Sequence, residues 1–402
     1  MPDPNDIYET HDVPTVINAV GNHTRVGGSL IRPAAREAMV NAAEAFVEIA
    51  ELQARACELI ADVTGAEAGY VTSGAASGLA LATAACLAGD DFGVMNRLPD
   101  TSGVPDEVLV PAAHRIEYGF AFRVPGATLR SVGLIDNHSG AEQLKPWELA
   151  DAISAETAAV AYVDRPRNEL SLPTVVGVAS EYDVPVIVDA AAELPPRENL
   201  RSYLEQGATA VVFSGGKAVR GPQSTGIVAG REWLVRSIAL QHLPVDTPAA
   251  FWDPPEALIS TETLPDGTPN HGIGRAMKVG KEELAGLIRA LELYQEEDET
   301  ALVDGWHDRA NRLATALSAV DGLAVTVADD DRSDYRSPPT VVVELHESAT
   351  SAAELVRRLR DERPRVIVGE RHVDEGRITL DPRCLRDDQV PVVVERLREN
   401  LE

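Results

Sequence analysis

VIVDAAAELPP (186–196) and VVFSGGKAVRGPQSTG (211–226) are the two stretches on which the fold reading turns. Each opens on a short apolar run that reads as a buried strand, and each then delivers a polar residue where the run stops. Asp189 ends the first run, and Lys217 follows the second on a Ser-Gly-Gly turn. Similar β-type runs lie at 69–72, 108–111, 128–132, 158–163, 185–189, 210–213 and 226–229, several separated by helix-length segments such as 147–153 and 174–182. Alternation of this kind predicts an α/β fold, a mostly parallel sheet covered by helices, with ligand sites at the strand C-terminal ends.

Outside that core, residues 1–33 read as an irregular arm. The stretch 33–63 carries apolar residues at helical spacing (Met39, Phe46, Ile49, Leu52, Cys57, Ile60) and predicts one long amphipathic helix closed by Gly65. From 278 to 317 the pattern is again helical, with Leu284, Leu287, Ile288, Leu291 and Tyr294 on one stripe, and it reads as a bridge between domains. Strands at 323–327, 340–345, 365–368 and 377–380, with helices at 351–359 and 389–397, predict a compact α+β module; 329–334 reads as a polar loop. The expected domains are therefore an arm (1–33), a large domain (34–285) and a small C-terminal domain with its bridging helix (286–402).

At 402 residues the chain exceeds what one core usually serves. Sixty-four acidic residues oppose 36 basic ones for a net charge of −28, a field that repels polyanions and argues against a nucleic-acid partner. Of those 36 cations only Lys145, Lys217, Lys278 and Lys281 are lysines. An acid-rich, lysine-poor and aromatic-poor composition predicts adaptation to high salt, where counterions screen self-repulsion. Cys57, Cys86 and Cys384 lie far apart without metal-ligand spacing, so neither a metal site nor a disulfide framework is expected. No apolar run approaches a membrane span and the N-terminus lacks the marks of a signal peptide, so a soluble cytoplasmic protein is expected.

The chemistry converges on Lys217. A lysine just after a buried strand can be desolvated, which lowers its pKa toward a reactive free amine. Lys145 precedes a proline on a polar connection, while Lys278 and Lys281 open a predicted helix as ordinary first-turn charges. An imine-forming lysine together with a carboxylate held against a pyridine nitrogen is the pair that pyridoxal phosphate requires. The cofactor phosphate needs an anion site. Thr72-Ser73-Gly74-Ala75-Ala76 offers one as strand, small-residue turn and helix start, although a plain capped turn reads the same when taken alone.

The order of TSGAA (72–76), VDAAAELPP (188–196), SGGKAVRGPQSTG (214–226) and HGIGRAMKVGKEE (271–283), with INAVGNHTRVGGS (17–29), resembles the selenocysteine synthase-related, fold-type-I pyridoxal phosphate enzymes, in particular the D-glucosaminate-6-phosphate ammonia-lyase branch. The resemblance runs over most of residues 15–300 and weakens beyond 320. It implies an aspartate aminotransferase-like transferase fold, a class V-type relative. Lys217 becomes the lysine that binds the cofactor aldehyde, Asp189 the partner of the pyridinium, and Ser73, Gly74 and Ala75 the phosphate loop. His114, in VPAAHRIEYGFAF (110–122), matches a ring stacked on the cofactor's outer face, against the alternative of a solvated loop histidine. Ser214 is a further phosphate donor or a plain turn serine. Arg377 resembles a substrate-carboxylate clasp, a task suited to its planar fork. Arg25 and Ser29, with Gly27 and Gly28, match a stretch near the active site, and Arg220 and Arg275 are further anion-binding candidates; surface arginine is the competing reading for each.

The resemblance implies a lyase that removes the α-proton of an amino acid or phosphorylated amino-sugar acid with Lys217 as base. A β-substituent is then expelled, and a keto acid and ammonia are released. Selenocysteine synthase-like β-replacement, transamination, racemisation and retro-aldol cleavage use the same two anchor residues and stay open. A non-catalytic cofactor-binding assembly subunit is the reading from another class, and an intact Asp189 and Lys217 argue against it. A homodimer or higher homo-oligomer is expected by analogy.

Overall fold

The apolar runs between 68 and 230 assemble into one seven-stranded sheet. In chain order its strands are β1 (Ala68–Thr72), β2 (Glu107–Pro111), β3 (Thr128–Val132), β4 (Thr157–Val163), β5 (Val186–Asp189), β6 (Ala210–Ser214) and β7 (Gly226–Gly230). They lie in the order β1-β7-β6-β5-β4-β2-β3. β7 runs antiparallel to both of its neighbours, and the other pairs are parallel. The computed structural model describes residues 7–114, 117–135, 142–164, 170–260, 268–328, 338–346 and 350–401.

Every residue of β1, β4, β5 and β7 is buried, as a sheet covered on both faces demands. Successive side chains feed opposite cores. Val71, Val160, Tyr162, Val188, Val211 and Phe213 pack with the helices Ile49–Thr64, Leu172–Ser180 and Lys281–Glu296. Their alternates Tyr70, Ala161, Ile187, Val212 and Val228 pack with Ala75–Ala88 and Glu232–His242. The helix Ala75–Ala88 is apolar on almost every side, the pattern of a fully buried helix.

β1 forms one edge of the sheet, and side chains rather than a further strand satisfy its outward backbone. Gln53 Nε2 donates to the Val71 carbonyl (2.7 Å), its Oε1 accepts from the Val71 N–H (3.3 Å), and the Gly69 N–H donates to Cys57 Sγ (3.3 Å). Gln53 and Cys57 stand one helical turn apart, and Gly69 and Val71 two strand residues apart, so the two periodicities mesh.

The stretch 33–63 is two helices, Pro33–Ala43 and Ile49–Thr64, rather than the single one expected. Phe46 lies between them fully exposed and joins no apolar stripe. The first helix stops where Lys281 Nζ takes the Ala42 carbonyl (2.6 Å), a cation set at a helix C-terminus. Lys281 is accordingly part-buried rather than a solvated first-turn charge. Gly65, at φ 70, closes the second helix as expected.

The chain forms two compact units, Ile31–Glu296 and a second that joins Met1–Leu30 to Glu297–Glu402. The expected boundaries at 33 and 285 thus fall at 30 and 296. The helical bridge is two helices, Lys281–Glu296 and Glu299–Leu317, one in each unit; Asp298 caps the second by accepting from the Ala301 N–H (3.0 Å). The arm is not irregular throughout. Val16–Ala19 is a strand paired in parallel with Arg365–Val368, where Ile17 and Ala19 reach the core of the second unit. That unit also holds an antiparallel sheet of Leu323–Ala328, Thr340–Leu345 and Arg377–Leu380. The polar loop expected at 329–334 lies outside the described residues. Among the described residues no helix is long and apolar enough to cross a membrane.

Candidate functional site

Sheet register brings Thr72, Ser214 and Asp189 to one end of the sheet. Thr72 pairs with Gly226 and Gly226 with Ser214, while Asp189 pairs with Val212 on one side and Val163 on the other. β1, β4, β5 and β6 therefore end at a common level, where the connections diverge and leave room for a ligand. Asp189 and Lys217 leave adjacent parallel strands at that end.

At the β1 end, Gly74 has φ 110, a conformation that favours glycine. A Cβ on Gly226 would stand 2.5 Å from the Gly74 carbonyl oxygen and 2.7 Å from the Ala75 nitrogen, so β7 must open on glycine for the turn to pass. Thr72 Oγ1 donates to the Gly74 carbonyl (3.0 Å), and the Ser73 and Ser77 hydroxyls are 3.0 Å apart. Gly74 caps the helix Ala75–Ala88 without offering a side-chain acceptor, so the first amide N–H groups of a fourteen-residue helix face the turn. Residues 73–77 are only half-buried. Such a turn fits an anion.

The lysine turn is closed on itself. The Gly221 N–H donates to the Gly215 carbonyl (2.8 Å), the Arg220 N–H to the Lys217 carbonyl (3.0 Å), and Thr225 Oγ1 to the Pro222 carbonyl (2.6 Å). Glycine at 215 and 216 makes room for the turn's own return limb: a Cβ on Gly216 would lie 2.6 Å from Gln223 Cα, and one on Gly215 would collide with the Thr225 side chain. Arg220 sits at φ 55, the left-handed region that a non-glycine residue enters at a cost of about 1 kcal/mol. Lys217 and Ser214 are half-buried.

Asp189 is 7% exposed, and its Oδ1 accepts from the Ala191 N–H (3.1 Å). His114 is 1% exposed, so it is no solvated loop histidine. The Val163 N–H donates to its Nδ1 (3.1 Å), and its ring meets Tyr162 edge-on at 4.6 Å. A backbone amide can only donate, so a neutral His114 carries its proton on Nε2. Val163 is the register neighbour of Asp189, which sets His114 one strand from the carboxylate.

Two further features were not legible beforehand. Tyr70 donates its hydroxyl to His242 Nδ1 (2.9 Å), because His242 Nε2–H is committed to the Met277 carbonyl (3.0 Å). Burial lowers the His242 pKa and pushes the Tyr70 phenol well above its ordinary range. Arg275 Nη1 donates to the His242 carbonyl (2.8 Å) at the end of the helix Glu232–His242, a capping contact for a residue read as an anion binder. The second feature is Arg32, whose Nε donates to the Val219 carbonyl (2.9 Å).

Arg25, Ser29 and Arg377 belong to the other unit. Arg25 pairs with Glu370 (3.4 Å), and Arg377, first residue of its strand, pairs with Glu375. In the larger unit the arrangement supplies an anion cradle, a carboxylate for a protonated ring nitrogen and a primary amine, the requirements of pyridoxal phosphate.

No family model matches the chain. It is 32% identical over 405 residues to the D-glucosaminate-6-phosphate ammonia lyase of Salmonella typhimurium, covering 99% of this chain and 98% of that protein. It is 31% identical to a 5'-C-glycyluridine monooxygenase-decarboxylase from a Streptomyces species, covering 98% and 92%. It is 28% identical to an L-seryl-tRNA(Sec) selenium transferase from Nitratidesulfovibrio vulgaris, covering 96% and 81%. A solved structure of D-glucosaminate-6-phosphate ammonia-lyase superposes with a TM-score of 0.79 at 31% identity, covering 99% of both chains. Residues, sheet order and full-length similarity agree: the chain belongs to the selenocysteine synthase-like, D-glucosaminate-6-phosphate ammonia-lyase-like family of fold-type-I pyridoxal phosphate enzymes.

Proposed function

We propose that this pyridoxal phosphate enzyme is a lyase acting on an amino acid or a phosphorylated amino-sugar acid. The α-proton is removed, a β-substituent leaves, and the unsaturated amine product hydrolyses to a keto acid and ammonia. When bound, the cofactor supplies an aldehyde for the amine and a ring that withdraws electrons from the α-carbon. In this reading Lys217 would hold that aldehyde and, once free, would take the α-proton on Nζ. Asp189 would keep the ring nitrogen protonated, and His114 would lie against the ring. Ser73, Gly74, Ala75 and the Ser214 hydroxyl would hold the phosphate. Arg25, Ser29, Arg220, Arg275 and Arg377 are the candidates for the substrate's anionic groups.

The observation that carries this reading is the pairing of Asp189 with Val212, which sets carboxylate and lysine turn on neighbouring strand ends, in a chain 32% identical over its length to an ammonia lyase. Its test is to incubate the purified holoenzyme with phosphorylated 2-amino-sugar acids and with simple amino acids, and to measure keto acid and ammonia. Equimolar release that disappears in Lys217→Ala supports the reading, and no release from any member of the panel refutes it. The 31% match to a monooxygenase-decarboxylase favours a second reading, oxidative decarboxylation of an amino acid; consumption of O2 with release of CO2 would establish it. A net charge of −28 weighs against the tRNA-directed β-replacement of the selenium transferases. A cytoplasmic homo-oligomer adapted to high salt completes the proposal, tested by light scattering and activity across molar salt.

A further inference from the structure

Arg32 stands directly before Pro33, first residue of the helix Pro33–Ala43, with the extended backbone (φ −56, ψ 138) that a following proline imposes. Its own N–H donates to the Arg220 carbonyl (3.0 Å) and its Nε to the Val219 carbonyl (2.9 Å). The guanidinium carbon lies 5.9 Å from the centre of the Tyr294 ring, and the residue is 6% exposed. Across the same turn the Gly221 N–H reaches the Gly215 carbonyl and the Arg220 N–H the Lys217 carbonyl. Residues 217–221 are thus tied to their own chain on one side and to Arg32 on the other. The left-handed Arg220 belongs to this grip, since its carbonyl points to the Arg32 N–H while its N–H points to Lys217. Hydrogen bonds from a buried charged donor are stronger than neutral ones and costly to break.

We propose that Arg32 is a positioning residue for Lys217: by holding the carbonyls of Val219 and Arg220 it fixes the turn, so that the Lys217 amine meets the cofactor aldehyde in one place. The inference rests on the assignment of Lys217. Neither the turn at Ser73–Gly74 nor Asp189 hangs from these two carbonyls. Loosening Arg32 therefore weakens covalent attachment while sparing the sites for phosphate and ring nitrogen.

The test compares two ligands on the full-length apoprotein. Pyridoxal phosphate has the aldehyde; 4'-deoxypyridoxine 5'-phosphate keeps ring and phosphate but lacks it. Arg32→Met raises the Kd for pyridoxal phosphate about tenfold or more, leaves that of the analogue within about threefold, and slows formation of a borohydride-trapped adduct by a similar factor. Arg32→Lys, whose ammonium reaches the Val219 carbonyl without the planar fork, gives a smaller loss with the same selectivity for the aldehyde. Equal losses for both ligands, or no loss for either, overturn the inference. If Arg32→Met lacks the far-ultraviolet dichroism of the parent, Arg32→Lys decides by the same criteria. Mapping the reduced cofactor in the parent protein separates the two levels. Attachment to another lysine sinks the Lys217 assignment itself, whereas attachment to Lys217 with unaltered affinities in the variants sinks the role of Arg32 alone.

Discussion

Gly226→Ala adds one methyl group where the structure has no room for it. The new carbon would stand 2.5 Å from the Gly74 carbonyl oxygen and 2.7 Å from the Ala75 nitrogen, both backbone atoms that no rotamer change can move aside. The β1 turn and the start of the helix Ala75–Ala88 must then retreat by roughly an ångström to restore ordinary contact, a form of overpacking that costs about 1–3 kcal/mol. In the proposed reading the same shift draws the Ala75 amide off the phosphate, and lengthening that charge-assisted hydrogen bond lowers cofactor affinity by about tenfold, while the Gly74 N–H stays with the Thr72 carbonyl (2.8 Å). Equilibrium titration with pyridoxal phosphate and with pyridoxal, which lacks the phosphate, isolates the effect, and thermal unfolding of the apoprotein reports the overpacking. A large loss is expected for the phosphorylated ligand and little change for the other. Wild-type affinity for pyridoxal phosphate in a folded Gly226→Ala protein, or equal losses for both ligands, would refute it.

Lys217→Ala should abolish the borohydride-fixed adduct and the yellow absorbance of the bound cofactor while the protein still folds, checked by mass spectrometry and dichroism. Asp189→Asn should bind the cofactor yet lose about 10²-fold or more in turnover, because an amide cannot hold the ring nitrogen protonated; the single-turnover rate of α-proton exchange measures this. His242 is held neutral by burial, its pKa lowered in the folded state. Its stabilising contribution is therefore present above the unfolded value near pH 6.5 and is lost as pH falls through that value toward the folded one. His242→Gln should flatten the decline of the urea midpoint between about pH 7 and 5, and an unchanged slope would contradict the linkage. Gln53→Leu leaves the Val71 N–H and carbonyl unsatisfied and should cost about 2–4 kcal/mol in chemical denaturation.

The strands of the large sheet were legible because residues such as Val186–Asp189 and Ala210–Ser214 are apolar runs of fixed length between small residues and prolines. Asp189 and Lys217 could be singled out for the same reason, as polar residues stranded at the ends of buried runs. The register that brings His114 beside Asp189 through Val163 links positions up to 75 residues apart, and no local pattern records it. The break at residues 44–48 was hidden by a helical period that continues through Phe46. The cation that meets the end of the first helix, Lys281, lies more than 230 residues downstream. Val16–Ala19 is too short and too isolated to read as a strand without its partner at 365–368. The glycines at 215 and 216 were visible while their reason was not, because the crowding comes from Gln223 and Thr225 on the return limb.

The side-chain seal along β1 limits how copies of this protein can associate. With the Val71 amide group occupied by Gln53 and the Gly69 N–H by Cys57, that margin offers no ladder onto which a foreign strand could be added. A chain that exposes this margin during synthesis stays open to cross-chain pairing there until the helix Ile49–Thr64 docks.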